Sequence, residues 1–241
     1  MPQENNGEMT LIAHIEELRK VIIRCVVAVA VCAIPCGIFW KSIFNFIAIL
    51  PLRLSDPAPQ IIYTAPAEAI VFSFKIALTG GLILASPFIF WQIWSFVAPG
   101  LYKKEKNIVL PVAAASTACF LAGISFCYYI LPMILQFLTG FAPEQINPYF
   151  RIDEYFGFLI KICLAFGIAF QLPVVSFTLA KMGIIDQKFM IKYFRHAVVG
   201  IFIIATLLTP PDVLSQILLA LPLVGLYALS IFLSRFARRK E

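Results

Sequence analysis

Few residues in this chain could do chemistry, and the two most telling are carboxylates. Glu17 sits in the run Glu16-Glu17-Leu18-Arg19-Lys20, and Glu105 is the single acid in the basic run Lys103-Lys104-Glu105-Lys106. A carboxylate accepts both arms of a guanidinium at once, a geometry that an ammonium does not match. Two carboxylates on one surface would therefore make a receptor for a ligand with two guanidinium groups. The plainer reading is that each offsets its neighbouring lysines, an exposed contact worth about 0–1 kcal/mol. Neutral polar groups are the other candidates. Gln92, Gln171, Thr209 and Gln216 fall in or against apolar runs, where glutamine hydrogen-bonds a second helix and any polar group is costly enough to be a functional candidate. Asp212 is placed to cap the helix that follows it, which leaves open whether it does more.

The chain has no phosphate-binding Gly-Lys-Ser/Thr loop, His-Glu-x-x-His or Ser-x-x-Lys. That argues against an ATPase and against enzymes generally, and no cofactor is expected. The cysteines (Cys25, Cys32, Cys36, Cys119, Cys127 and Cys163) all lie in apolar segments far from His14 and His196. They read as small buried hydrophobes, so neither a metal site nor a disulfide framework is expected.

The elements that must position these groups are membrane helices. Of 241 residues, 61% are hydrophobic and 13% charged, against roughly 45–50% and about 25% in a soluble domain. Six apolar segments approach the roughly 20 residues that a bilayer core requires: Val21–Phe44, Ala69–Phe96, Ile108–Leu138, Phe156–Ala180, Phe194–Thr209 and Val213–Leu233. The fifth would span only about 24 Å, and only Pro210-Pro211-Asp212 separates it from the sixth. No polar linker divides the chain, so residues 1–241 form one membrane domain. The fold class is all-α and polytopic, with six transmembrane helices.

The net charge of +6 does not point to nucleic acid, because the basic residues cluster at the ends of apolar runs. With the N-terminus inside, fourteen lysines and arginines lie on the cytoplasmic side and three, Lys41, Arg53 and Arg151, on the other. The positive-inside rule puts both termini in the cytoplasm, and Glu17 and Glu105 on one face. Thr10 to Lys20 reads as an amphipathic surface helix with Leu11, Ile15, Leu18 and Ile22 on one stripe and Glu16, Glu17 and Lys20 away from it. The apolar run that follows exceeds a signal-peptide core and is expected to be retained. Prolines (Pro51, Pro57, Pro59 and Pro66) stiffen the first outer loop, and Trp40, Trp91 and Trp94 fall near span ends, where indoles anchor. Glu68 and Lys75 share a helix face but lie too far apart to pair directly; Lys161 snorkels from its helix.

Four strings carry a resemblance. His14-Ile15-Glu16-Glu17-Leu18-Arg19-Lys20 resembles the N-terminal motif of the TatC family, the receptor subunit of the twin-arginine protein translocase. The runs Ser86 to Lys106, Ala165 to Pro173 and Leu208 to Gln216 resemble that family's second-helix end and first cytoplasmic loop, its fourth helix and its last outer turn. The resemblance implies a concave, glove-like bundle with short fifth and sixth helices that recognises signal peptides with paired arginines. It assigns those arginines to Glu17 and Glu105. Arg19, Pro51, Phe96 and Tyr102 match other positions of the receptor or its surroundings. Gln92, Thr209 and Gln216 match polar positions near the fifth and sixth helices linked to docking of the single-span subunits TatA and TatB, and Asp212 matches an outer-turn acid. Gln171 departs from the family, which usually has a glutamate there; glutamine cannot titrate, so a proton-relay role is not expected of it.

The expected function is therefore the core receptor of the twin-arginine system. It would bind signal peptides of folded precursors at the cytoplasmic face and nucleate the export complex, with the proton-motive force as energy source. Expected partners are those peptides, TatA- and TatB-type subunits, the bilayer and further copies of the chain, in a bacterial cytoplasmic membrane. The absence of an Arg/Ser-rich transit segment favours a bacterium over a plastid. The competing reading, a secondary transporter or channel for a small solute, requires titratable groups at mid-membrane, where the sequence offers chiefly Gln171. A structural scaffold is a third.

Overall fold

A computed structural model describes residues 11–54, 60–101, 109–140, 149–208 and 213–237. Helix α1 (Leu11–Ile38) has no glycine or proline before Pro35 and runs unbroken from the amphipathic start into the first span. The expected boundary at Lys20 is therefore absent. Pro35 withholds one N–H from the helix, and α1 gives way at Phe39 to α2 (Trp40–Phe44), a π-helical turn (Asn45–Ile49) and α3 (Leu50–Arg53). Pro51, buried, stands in the first turn of α3, where its missing N–H costs nothing.

The apolar stripe of α1 faces the opposite way from a soluble amphipathic helix. Ile15, Leu18 and Ile22 point outward, as do Ile23, Val26, Val27 and Val31, while Val21 is buried. Only 11% of the most apolar window of α1 is buried inside the protein. Lipid is the solvent that such a surface needs.

α4 (Glu68–Leu101) and α5 (Val109–Gly140) follow, then α6 (Ile152–Ala169) and α7 (Leu172–Lys181). The fourth expected span is thus two helices. Pro173 has no N–H for the Ala169 carbonyl, and the chain turns at Phe170-Gln171, where the Gln171 N–H donates to the Ile168 carbonyl at 2.9 Å. α7 ends in a Schellman motif at Gly183 (φ 75°), with the Ile184 N–H on the Leu179 carbonyl and the Gly183 N–H on that of Ala180. α8 (Gln187–Lys192) and α9 (Phe194–Leu208) lead to α10 (Val213–Ala237). At 15 residues α9 is short, as expected. The resemblance implied a short sixth helix too, yet α10 has 25 residues, running past Leu233 through Arg235 to Ala237. Among the described residues five helical stretches, with Ile152–Lys181 (α6 and α7 together) counted as one, are long and apolar enough to cross a membrane, and α9 is a shorter sixth.

Small residues set the closest helix contacts. A Cβ on Gly81 would fall 2.8 Å from the Ala33 Cα and N, so α1 and α4 cross there with backbones touching. At the α5–α6 crossing a Cβ on Gly123 would lie 2.7 Å from the Phe166 carbonyl oxygen, and one on Gly167 2.6 Å from the Phe120 ring. Around these crossings Ile76, Leu131, Leu135, Phe156, Leu159 and Phe166 form the buried core.

On the outer side the all-helical expectation has one local exception. β1 (Gln60–Ile62) pairs in parallel with β2 (Tyr149–Arg151), Ile61 opposite Phe150, and so joins the two outer loops. Glu68 accepts from the Thr64 N–H at 2.9 Å and hydroxyl at 2.8 Å and pairs with Arg151 at 2.8 Å. Arg151 also holds Glu154, and Lys75 pairs with Asp153. Glu68 and Lys75 thus share a face of α4 without meeting, each held by the start of α6. Tyr155 donates to the Ala48 carbonyl and Tyr128 to that of Phe46, fixing the segment between α2 and α3 beneath this cap.

Replacing Gly123 by alanine should force α5 off α6 and cost about 1–3 kcal/mol, read as a lowered midpoint of thermal unfolding in detergent. Gly157→Ala, on α6 with open space around it, should leave the midpoint unchanged or slightly raised.

Candidate functional site

The cytoplasmic site expected from the sequence is built where the start of α1 meets the end of α4. The helices run antiparallel: Ala33 touches Gly81 near the middle, and at the far end the His14 ring stacks on Phe96 with centroids 4.4 Å apart and planes at 18°. His14, Glu17 and Val21 follow at helical spacing, so Glu17 lies on the face of α1 turned toward α4. It is half-buried, whereas Glu16, Arg19 and Lys20 are exposed. The two neighbouring acids also differ in pairing. Glu16 takes Lys20 at 3.1 Å on the outer face, and Glu17 has no ion pair among the described residues. Among the described residues the charge-offsetting role is filled by Glu16.

Gln92 lies one turn before Phe96 on α4, is 7% exposed, and has no hydrogen-bond partner among the described residues. A buried amide in that state costs roughly 1–3 kcal/mol, so it marks a place where polar contacts remain to be made. Glu105 and Tyr102 lie outside the described residues, beyond the end of α4.

The remaining polar candidates go elsewhere. Gln171, at the α6–α7 break, donates its amide to the Ser116 carbonyl at 3.0 Å, and the Ser116 hydroxyl accepts from the Trp94 indole at 2.8 Å. α4, α5 and the break are thereby tied together inside the bundle. Trp94, expected as an interface anchor, is here a cross-helix donor. Gln216 donates to the Phe202 carbonyl at 3.1 Å and to the Thr206 hydroxyl at 2.6 Å, lacing α10 to α9. Thr206 was missed in the sequence, though it and Gln216 stand equally far from Pro211, as cross-helix partners in a tight hairpin must. Thr209 and Asp212 lie outside the described residues. Gln92 and Gln216 were grouped from the sequence, but the structure does not bring them together: Gln92 belongs to the α1–α4 face and Gln216 to the α9–α10 hairpin. Pro51 sits at the opposite end of the bundle from Glu17. Among the described residues no three His, Cys, Asp or Glu side chains gather to hold a metal.

Comparison with known proteins identifies the fold and the family. Residues 13–222 match the family model described as Sec-independent protein translocase protein (TatC). The chain is 40% identical over 223 residues to TatC of Helicobacter pylori, covering 92% of this chain and 86% of that protein. It is 35% identical over 227 residues to TatC of Escherichia coli, covering 94% and 88%. A crystal structure of the twin arginine translocase receptor TatC superposes with a TM-score of 0.85 at 36% identity, over 94% of this chain and 100% of that one. With the fold, the order of the motifs and the relatives in agreement, the chain is a multi-pass membrane protein that belongs to the TatC family of Sec-independent protein translocase proteins.

Proposed function

We propose that this protein is the signal-peptide receptor of a twin-arginine translocase in a bacterial cytoplasmic membrane. Both of its ends face the cytoplasm, and it carries no catalytic chemistry of its own. The observation that supports this best is Glu17, half-buried on the α1 face beside the His14–Phe96 stack and without an ion pair among the described residues, while Glu16 takes Lys20. A guanidinium seated there gains a bidentate, charge-assisted contact. On this reading Glu105 supplies the second carboxylate, and Arg19 and Tyr102 assist in binding the peptide. The apolar part of the peptide then follows the bundle inward.

The surrounding loops are basic and repel a dicationic ligand at long range. Selection for arginine therefore rests on short-range geometry. TatA- and TatB-type subunits, in an assembly holding several copies of this chain, dock at the polar α9–α10 hairpin around Thr209, Asp212 and Gln216, and the proton-motive force drives transport. A solute transporter is disfavoured because Gln171, the mid-membrane polar group, is already committed to the Ser116 carbonyl.

A twin-arginine peptide should bind the purified protein at least about tenfold more tightly than its twin-lysine form, the difference expected for one charge-assisted contact of about 1.5–3 kcal/mol. Glu17→Ala/Glu105→Ala should erase that preference. Equal binding of both peptides to the folded, unaltered protein would refute the receptor site. Phe96→Ala removes a ring stack worth about 0.5–1.5 kcal/mol. Amide exchange near Glu17 should rise by up to about tenfold, with weaker peptide binding and unchanged exchange in α10.

A further inference from the structure

On the opposite side of the molecule from Glu17, two clefts meet at one lysine. The first, about 470 Å³, is lined by Lys75, Asp153, Glu154, Gly157, Phe158 and Lys161, with the end of α9 beside it. The second, about 440 Å³, is apolar and lies between the α6–α7 stretch and α9, bounded by Leu164, Ile168, Leu172, Ile201 and Ile204, with Lys161 at its end. Glu154, Gly157, Lys161, Leu164, Ile168 and Leu172 follow each other three or four apart. They form one stripe that changes from polar to apolar below Lys161.

The charges named around this junction balance overall, yet their pairing leaves Lys161 without a carboxylate among the described residues. Asp153 holds Lys75, and Arg151 holds both Glu68 and Glu154. Lys161 is exposed and has no ion pair among the described residues. It stands about 14 Å along the helix from Ile152, deep for a cation beneath an ordinary bilayer surface. The neighbouring α9, with its 15 residues, spans only about 22 Å of a hydrocarbon core about 30 Å thick. Lipid along this face must thin or tilt, which brings headgroups down toward Lys161.

We propose that this junction seats an anionic phospholipid, its phosphate at Lys161 and one acyl chain in the groove between α6 and α9. Below Lys161 the groove is lined by apolar side chains alone, which suits an acyl chain hanging from a charged headgroup. The unpaired cation selects a headgroup with net negative charge.

The test is photo-cross-linking of the full-length protein in lipid nanodiscs of equal phosphatidylglycerol and phosphatidylcholine. Benzoylphenylalanine is placed at Ile168 in the groove or, for comparison, at Val27 on the outward face of α1, and the adducts are read by mass spectrometry. One lysine at a membrane surface contributes about 1 kcal/mol toward an anionic lipid, or about fivefold. Adducts at Ile168 should therefore favour phosphatidylglycerol about fivefold, and those at Val27 should follow the bulk mixture. Lys161→Gln should bring the Ile168 ratio to bulk, and Lys161→Arg should preserve it. Adducts at Ile168 that follow the bulk mixture in the unaltered protein would overturn the proposal. So would a preference that survives Lys161→Gln, or adducts formed chiefly with a protein helix.

Discussion

In hydrocarbon, burying a leucine against another helix gains almost nothing over leaving it in lipid, so helices associate through close packing and polar contacts. This bundle depends on that constraint at two crossings. Gly81 lets α1 lie against α4 with Ala33 in backbone contact, and Gly123 with Gly167 does the same for α5 and α6. The first crossing is what brings His14, nineteen residues from Ala33, to Phe96, fifteen residues from Gly81. A wider spacing at the crossing would separate the helix ends that carry Glu17 and Phe96. Packing at the centre of the membrane therefore sets the geometry at its surface.

The polar residues divide the remaining work by depth. On the outer side, Glu68, Arg151, Glu154, Lys75 and Asp153 tie the start of α4 to the start of α6. Within the bundle, Gln171, Ser116 and Trp94 join α4, α5 and the break before α7. On the cytoplasmic side Glu17 and Gln92 have no such partners among the described residues. A protein that must hold its shape while accepting a charged peptide is well served by this distribution, because the satisfied groups supply rigidity away from the surface that has to bind.

Membrane helices were legible because their signal is length and apolarity, which lipid makes sufficient. The break at Gln171 was written in Pro173, but it was read as an ordinary span because a 25-residue apolar run looks continuous in composition. The β1–β2 pair was not legible: each strand has three residues, too few to show alternation, and its partner lies almost ninety positions away. Long-range pairing also hid the Glu68–Arg151 contact, since spacing along one helix could show only that Glu68 and Lys75 share a face. The face of Glu17 was legible in part. Leu11, Ile15, Leu18 and Ile22 form one stripe with Glu17 away from it, and Ile15, Leu18 and Ile22 do face outward, the reverse of a helix in water; nothing in the sequence names α4 as the neighbour on the other side. In a bilayer the most apolar stripe turns outward, and the less apolar positions, His14, Glu17 and Val21, turn toward α4.

That reversal bears on how arginine selectivity arises amid basic loops. A carboxylate on the outward, lipid-facing side of α1 would be reached by any cation along the membrane surface and screened by solvent ions within about 8–10 Å. On the inward side, on the face of the His14–Phe96 stack, it is partly shielded from water. Electrostatic attraction strengthens as the local dielectric falls, and so does the cost of a ligand that leaves a carboxylate oxygen unmatched. An ammonium offers a compact, strongly hydrated charge that loses more on entering such a site than a guanidinium does. On the proposed receptor reading, a carboxylate on the protein-facing stripe is thus better placed than an outward one to distinguish two ligands of equal charge.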